Sequence, residues 1–104
     1  MLTNTQENQI IMNGADPKTT NNYRNITSAT TTTVKSGAGK LHAIVVNSTA
    51  AGTIAIYDNT SAAGTLIGTL KASVVENTYF YECAFDIGLT IVTGGASNIT
   101  VIYK

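Results

Sequence analysis

The sequence predicts an all-β protein, an antiparallel β-sandwich or small barrel of about seven strands with an extended N-terminal arm. Three observations carry this. Short β-branched or aromatic runs recur every 8–12 residues, glycine-rich turns separate them, and no helical period occurs anywhere. At 104 residues the chain makes one domain at most.

Composition changes near residue 24, which divides the chain into an arm (1–24) and a sandwich domain (25–104). The arm is polar apart from one apolar island, Ile10-Ile11-Met12, and Asn13-Gly14 and Asp16-Pro17 interrupt any helix begun there. It reads either as a loose terminus or as an arm whose island docks on a neighbouring subunit. Residues 25–35, "NITSATTTTVK", are dense in β-branched side chains and are expected to be extended. "SGAG" turns the chain into "KLHAIVVN" (40–47). Plain alternation there sets Leu41, Ala43 and Val45 on one face and His42, Ile44 and Val46 on the other.

Residues 53–59, "TIAIYDN", lie between two copies of one phrase, Thr49-Ala50-Ala51-Gly52-Thr53 and Ser61-Ala62-Ala63-Gly64-Thr65. Each Ala-Ala-Gly fits a hairpin turn with glycine in the left-handed position, so valine at Gly52 or Gly64 is expected to damage folding through a positive φ. The two turns predict a meander of 40–47, 53–59 and 65–70. "YFYECAF" (79–85) sets Tyr79, Tyr81, Cys83 and Phe85 against Phe80, Glu82 and Ala84. "LTIVT" (89–93) and "NITVIY" (98–103) complete the series, the latter with Ile99, Val101 and Tyr103 against Thr100 and Ile102.

Charge and chemistry point away from several functions. Formal net charge is zero and only 12% of residues are charged, so no basic field attracts nucleic acid or an anionic membrane. A chain so weakly charged is poorly protected from self-association, which favours life within an assembly. The N-terminus has no secretory pattern, and no apolar run is long enough for a membrane helix. One cysteine, Cys83, excludes an intrachain disulfide and reads as an inert thiol in an apolar strand. His42, the sole histidine, reads as a surface or interface side chain rather than a base. Asp58-Asn59 reads as turn capping rather than calcium binding, and no phosphate-cradling loop is present. Neither catalytic residues nor a cofactor or metal site are expected, and the chain is read as not an enzyme.

The run from about Val34 to Tyr103 resembles a family of small proteins of tailed bacteriophages. The residues that carry the likeness are "GAGKLHAIVVN", "GTIAIYDNTSAAGTLIGTL" and "FDIGLTIVTGGASNITVIY". The resemblance implies a virion structural protein, foremost a capsid decoration (cement) protein that binds and stabilises the assembled head. It also implies a homotrimer partnered by the major capsid protein or another virion protein, made in the host cytoplasm and carried on the capsid surface. The alternative is a carbohydrate- or receptor-binding module of a fibre or tail, with Tyr57, Tyr79 and Tyr81 as candidate sugar contacts; a polysaccharide hydrolase ranks third. The residues expected to touch capsid or protomer are Ile10, Ile11, Met12, Tyr23, Arg24, Ile44, Val46, Tyr57 and Phe80.

Overall fold

The computed structural model describes residues 21–104. Ile10, Ile11 and Met12 lie outside them. The described residues are all β, with no helix and eight antiparallel strands: β1 (Asn22–Ile26), β2 (Thr31–Ser36), β3 (Gly39–Ser48), β4 (Ile54–Asp58), β5 (Thr65–Leu70), β6 (Thr78–Phe85), β7 (Gly88–Thr93) and β8 (Asn98–Tyr103). They form two four-stranded sheets, A in the order β1-β8-β3-β6 and B in the order β2-β7-β4-β5.

One long hairpin explains this order. β4 pairs with β5 around the second Ala-Ala-Gly turn, and then β3 with β6, β2 with β7 and β1 with β8. Rolling that double ribbon adds the pairs β3–β8 and β4–β7 and closes two sheets over one core. Eight strands wound in this way form a jelly roll. Every connection except β4–β5 passes from one sheet to the other. The expected meander is therefore only half present, because β3 and β4 belong to different sheets.

The eighth strand comes from the threonine-rich run, which is two strands rather than one. Ile26 ends β1 in sheet A and Thr31 opens β2 in sheet B. Thr93 pins the crossing between them. Its hydroxyl donates to the Ser28 carbonyl (2.6 Å) and accepts from the Thr30 amide (3.0 Å), which satisfies a side chain that is otherwise buried. β1 also begins at Asn22, so the sheet takes in the last residues assigned to the arm.

The core lies between the sheets. Sheet A contributes Ile26, Leu41, Ile44, Val46, Phe85, Ile99 and Val101, and sheet B contributes Val34, Ile54, Ile56, Leu70, Leu89 and Ile91. The spacing of Leu41, Ile44 and Val46 is not period two. Between the pairs that bracket His42, β8 steps directly from Tyr103 to Ile102 while β3 passes through His42. Across the same interval β6 passes through both Glu82 and Tyr81. Each strand thus carries one more residue than its neighbour, a β-bulge that widens across the sheet. The bulge reverses the phase of β3, which corrects the plain alternation read from sequence. Ile44 and Val46 face the core, whereas Ala43 and Val45 face outward.

Candidate functional site: the outer face of sheet A

The outer face of sheet A gathers the exposed large side chains that share a register. Tyr23 on β1 lies opposite Ile102 on β8, Ile102 opposite Ala43 on β3, and Ala43 opposite Phe80 on β6. One apolar row therefore crosses all four strands, roughly 14 Å at the usual inter-strand spacing. Its two ends stand proud, Tyr23 at 76% and Phe80 at 67% exposure, while Ala43 in the trough is fully covered. Isolated exposed apolar residues are ordinary; Tyr23 and Phe80 differ from these in standing at the two ends of one register row.

On one side of the row lies an ionic cluster built by the bulge. Glu82 has φ +51°, a conformation that side-chain-bearing residues adopt at a cost. Its carboxylate meets Lys40 Nζ at 3.2 Å and His42 Nδ1 at 2.9 Å. These contacts, first the one from His42 and then that from Lys40, hold the Glu82 carboxyl below the usual glutamate range. The His42 ring meets the Phe80 ring edge-on, with centroids 5.6 Å apart and planes at 76°. On the other side of the row is an amide–hydroxyl network. Asn25 Nδ2 donates to Asn98 Oδ1 (2.8 Å) and the Ile99 carbonyl (2.8 Å), and Asn47 Nδ2 donates to Asn98 Oδ1 (3.2 Å) and Thr100 Oγ1 (3.1 Å). Side chains from β1, β3 and β8 are thereby joined in one network.

Of the residues expected to make contacts, Tyr23 and Phe80 are the two ends of this row. Arg24 is exposed on the same edge strand but alternates away from it, opposite Val101. Tyr57 is half-buried on sheet B, paired with Thr90 and Leu66. Ile44 and Val46 are core residues with no surface to offer, and the bulge is the reason. Ile102 and Ala43 belong to the row although neither was among the expected contacts. Tyr79 and Tyr81 are partly buried and pack against the core, and Tyr79 donates its hydroxyl to the Val75 carbonyl. Cys83 is partly buried against the same core, and burial raises its thiol pKa.

Asp58, at the end of β4, caps another part of the chain rather than its own turn. Its carboxylate accepts from the amides of Asp86 (3.0 Å) and Ile87 (2.9 Å), which fixes the β6–β7 crossing, while Asn59 Nδ2 closes its own loop by donating to the Ala63 carbonyl. Amide donation, first from Ile87 and then Asp86, lowers the Asp58 pKa. A carboxyl with a depressed folded pKa stabilises the fold above its ordinary value, and that contribution is lost as pH falls through the folded value. Asp58→Ala is expected to lower Tm at pH 7 and to flatten the decline in Tm below about pH 4. Thermal melts of both proteins from neutral to acidic pH check this; parallel curves would dismiss the cap.

Among the described residues no group of three or more His, Cys, Asp or Glu side chains is arranged to hold a metal ion. No family model, curated protein or solved structure matches the chain. The class defined by the fold is a two-sheet jelly roll whose distinguishing surface is the apolar row on sheet A.

Proposed function

We propose that the chain is a structural interaction protein of a tailed-phage virion, foremost a decoration protein that binds and stabilises the assembled head as a homo-oligomer. The observation that supports this is the row Tyr23–Ile102–Ala43–Phe80, whose two exposed ends, Tyr23 and Phe80, offer apolar area to another polypeptide, shell or protomer. The architecture agrees with it, since jelly rolls recur in viral capsid domains, although they recur in lectins as well. A protein that binds the assembled shell but not its free subunits shifts the equilibrium toward the shell, and many copies add their effects.

The test is cosedimentation with undecorated heads, comparing the full chain with the double variant Tyr23→Ser/Phe80→Ser and with a deletion of residues 1–20, which leaves β1 whole. Binding by the full chain, lost in the double variant, is expected. A full chain that leaves the heads bare overturns the decoration reading. The deletion shows whether Ile10, Ile11 and Met12 contribute.

One observation favours the second reading, a carbohydrate- or receptor-binding module of a fibre or tail. Phe80 is an exposed ring beside His42 and close to Glu82 and Lys40, the pairing of apolar face and polar groups on which sugars stack. Specific signals on a glycan array, abolished by Phe80→Ser, would select it.

A further inference from the structure

Two buried hydroxyls at one end of the core have no hydrogen-bond partner among the described residues, Thr49 Oγ1 and Ser97 Oγ. The register puts them side by side. Ser48 opposite Asn98 is the last rung of the β3–β8 ladder, so Thr49 and Ser97 are the next residues on the two chains. Asn98 turns outward to accept from Asn25 and Asn47, and alternation therefore sends Ser97 inward, in keeping with its 2% exposure. From here the β3–β4 and β7–β8 crossings run antiparallel toward sheet B. Near sheet B they are joined directly, since the Gly94 amide donates to the Thr53 carbonyl at 2.8 Å and Gly52 lies against the backbone of Gly94 and Gly95. At the sheet A end neither amide reaches across. Ser97 donates to the Gly95 carbonyl of its own turn, and Thr49 donates to the exposed Glu76 carboxylate.

A buried hydroxyl without a partner forfeits the hydrogen bonds that it makes to water in the unfolded chain, and such groups are rare in folded proteins. Two of them on one inward rung point to a shared ligand. They do not bond each other, and each can both donate and accept, so a ligand that does both fits the pair. A metal ion does not fit, because it offers nothing to donate and no group of acidic or imidazole side chains is arranged to hold one among the described residues. The close approach of Gly52 to Gly94 and Gly95 beside the pair favours a small molecule. Water meets each condition. We infer that an enclosed water molecule binds at this end of the core, bridging Thr49 Oγ1 and Ser97 Oγ and fastening the β3–β4 crossing to the β7–β8 turn.

The inference is independent of any reading of sheet A as a contact face. It is tested first in a crystal structure of the full chain at a resolution that shows ordered water. A peak within hydrogen-bond distance of both oxygens is expected; apolar side chains closing over the pair, or a protein group bonded to it, would overturn the site. The second test reads energetics by urea unfolding of Thr49→Val, Ser97→Ala and the double variant, all nearly isosteric changes. With a bridging water, each single variant removes one of its partners and is expected to raise the unfolding constant roughly three- to tenfold. The double variant is expected to cost little more than the worse single one, because the first change already breaks the bridge. Hydroxyls that are dry and unpartnered give the opposite sign, with each single variant more stable than the parent chain. That result, or losses that simply add, would overturn the bridge.

Discussion

Gly52→Val is expected to cost at least about 3 kcal/mol, enough to lower Tm by more than about 12 °C in a domain of this size. A Cβ at Gly52 would lie 2.2 Å from the Gly95 nitrogen and 2.3 Å from the Gly94 carbonyl carbon. Both are backbone atoms, so no rotamer change relieves the overlap and the two crossings must separate. Gly52 does not have positive φ, which corrects the reason given by the sequence: the position needs glycine for close approach, and even Gly52→Ala meets the same atoms. Its twin behaves differently. Gly64 has φ +81°, and its nearest neighbour is the Asn59 side-chain amide at 2.8 Å, which can move. Gly64→Ala is expected to cost only about 1–2 kcal/mol, the left-handed penalty for a residue with a Cβ. Urea unfolding of Gly52→Ala and Gly64→Ala side by side checks the pair. Equal losses would mean that the two turns do one job after all.

That contrast shows what was legible in the sequence. The repeated Ala-Ala-Gly phrase located two tight corners correctly, because glycine's role as a turn former is local. It could not tell a hairpin from a crossing between sheets, since that depends on Gly94 and Gly95 more than forty residues away. The strand positions from Gly39 onward were legible for the same local reason, and so was the inward face of β6, where Tyr79, Tyr81, Cys83 and Phe85 alternate toward the core. The break inside "NITSATTTTVK" was not, because the threonines on both sides suit a strand and Ser28-Ala29 between them carries no glycine or proline to mark a turn. Thr93, on β7, marks where the chain leaves sheet A, through its hydroxyl and through its amide, which donates to the Thr30 carbonyl. The candidate site was half legible. Tyr23 and Phe80, expected as contacts, are exposed, but the row that joins them depends on a register fixed by the bulge. A residue such as Glu82 at positive φ carries no compositional signal, unlike glycine.

The bulge makes the second large prediction. With unbroken alternation Leu41 and Val45 share the buried face, and truncating Val45 should hurt far more than truncating Ile44 if Ile44 faces a partner. The structure reverses this. Ile44 is fully buried between Val101 and Tyr79 of the flanking strands, while Val45 lies on the outer side in line with Thr100 and Thr78. Ile44→Ala is therefore expected to cost about 2–5 kcal/mol, the lost transfer energy plus the cavity left in a core that relaxes only partly. Val45→Ala is expected to cost less than about 1 kcal/mol, within the spread of β-propensity. Chemical denaturation of the two variants measures the difference directly, and adding Leu41→Ala completes the test, since Leu41 and Ile44 can both be costly only if the strand changes phase between them. The same phase change puts His42 and Ala43 on one side of the sheet. It thereby supplies both the recess of the apolar row and the cluster beside it. A result placing Val45 in the core would thus remove the apolar row together with the bulge, because Ala43 could no longer lie between Ile102 and Phe80.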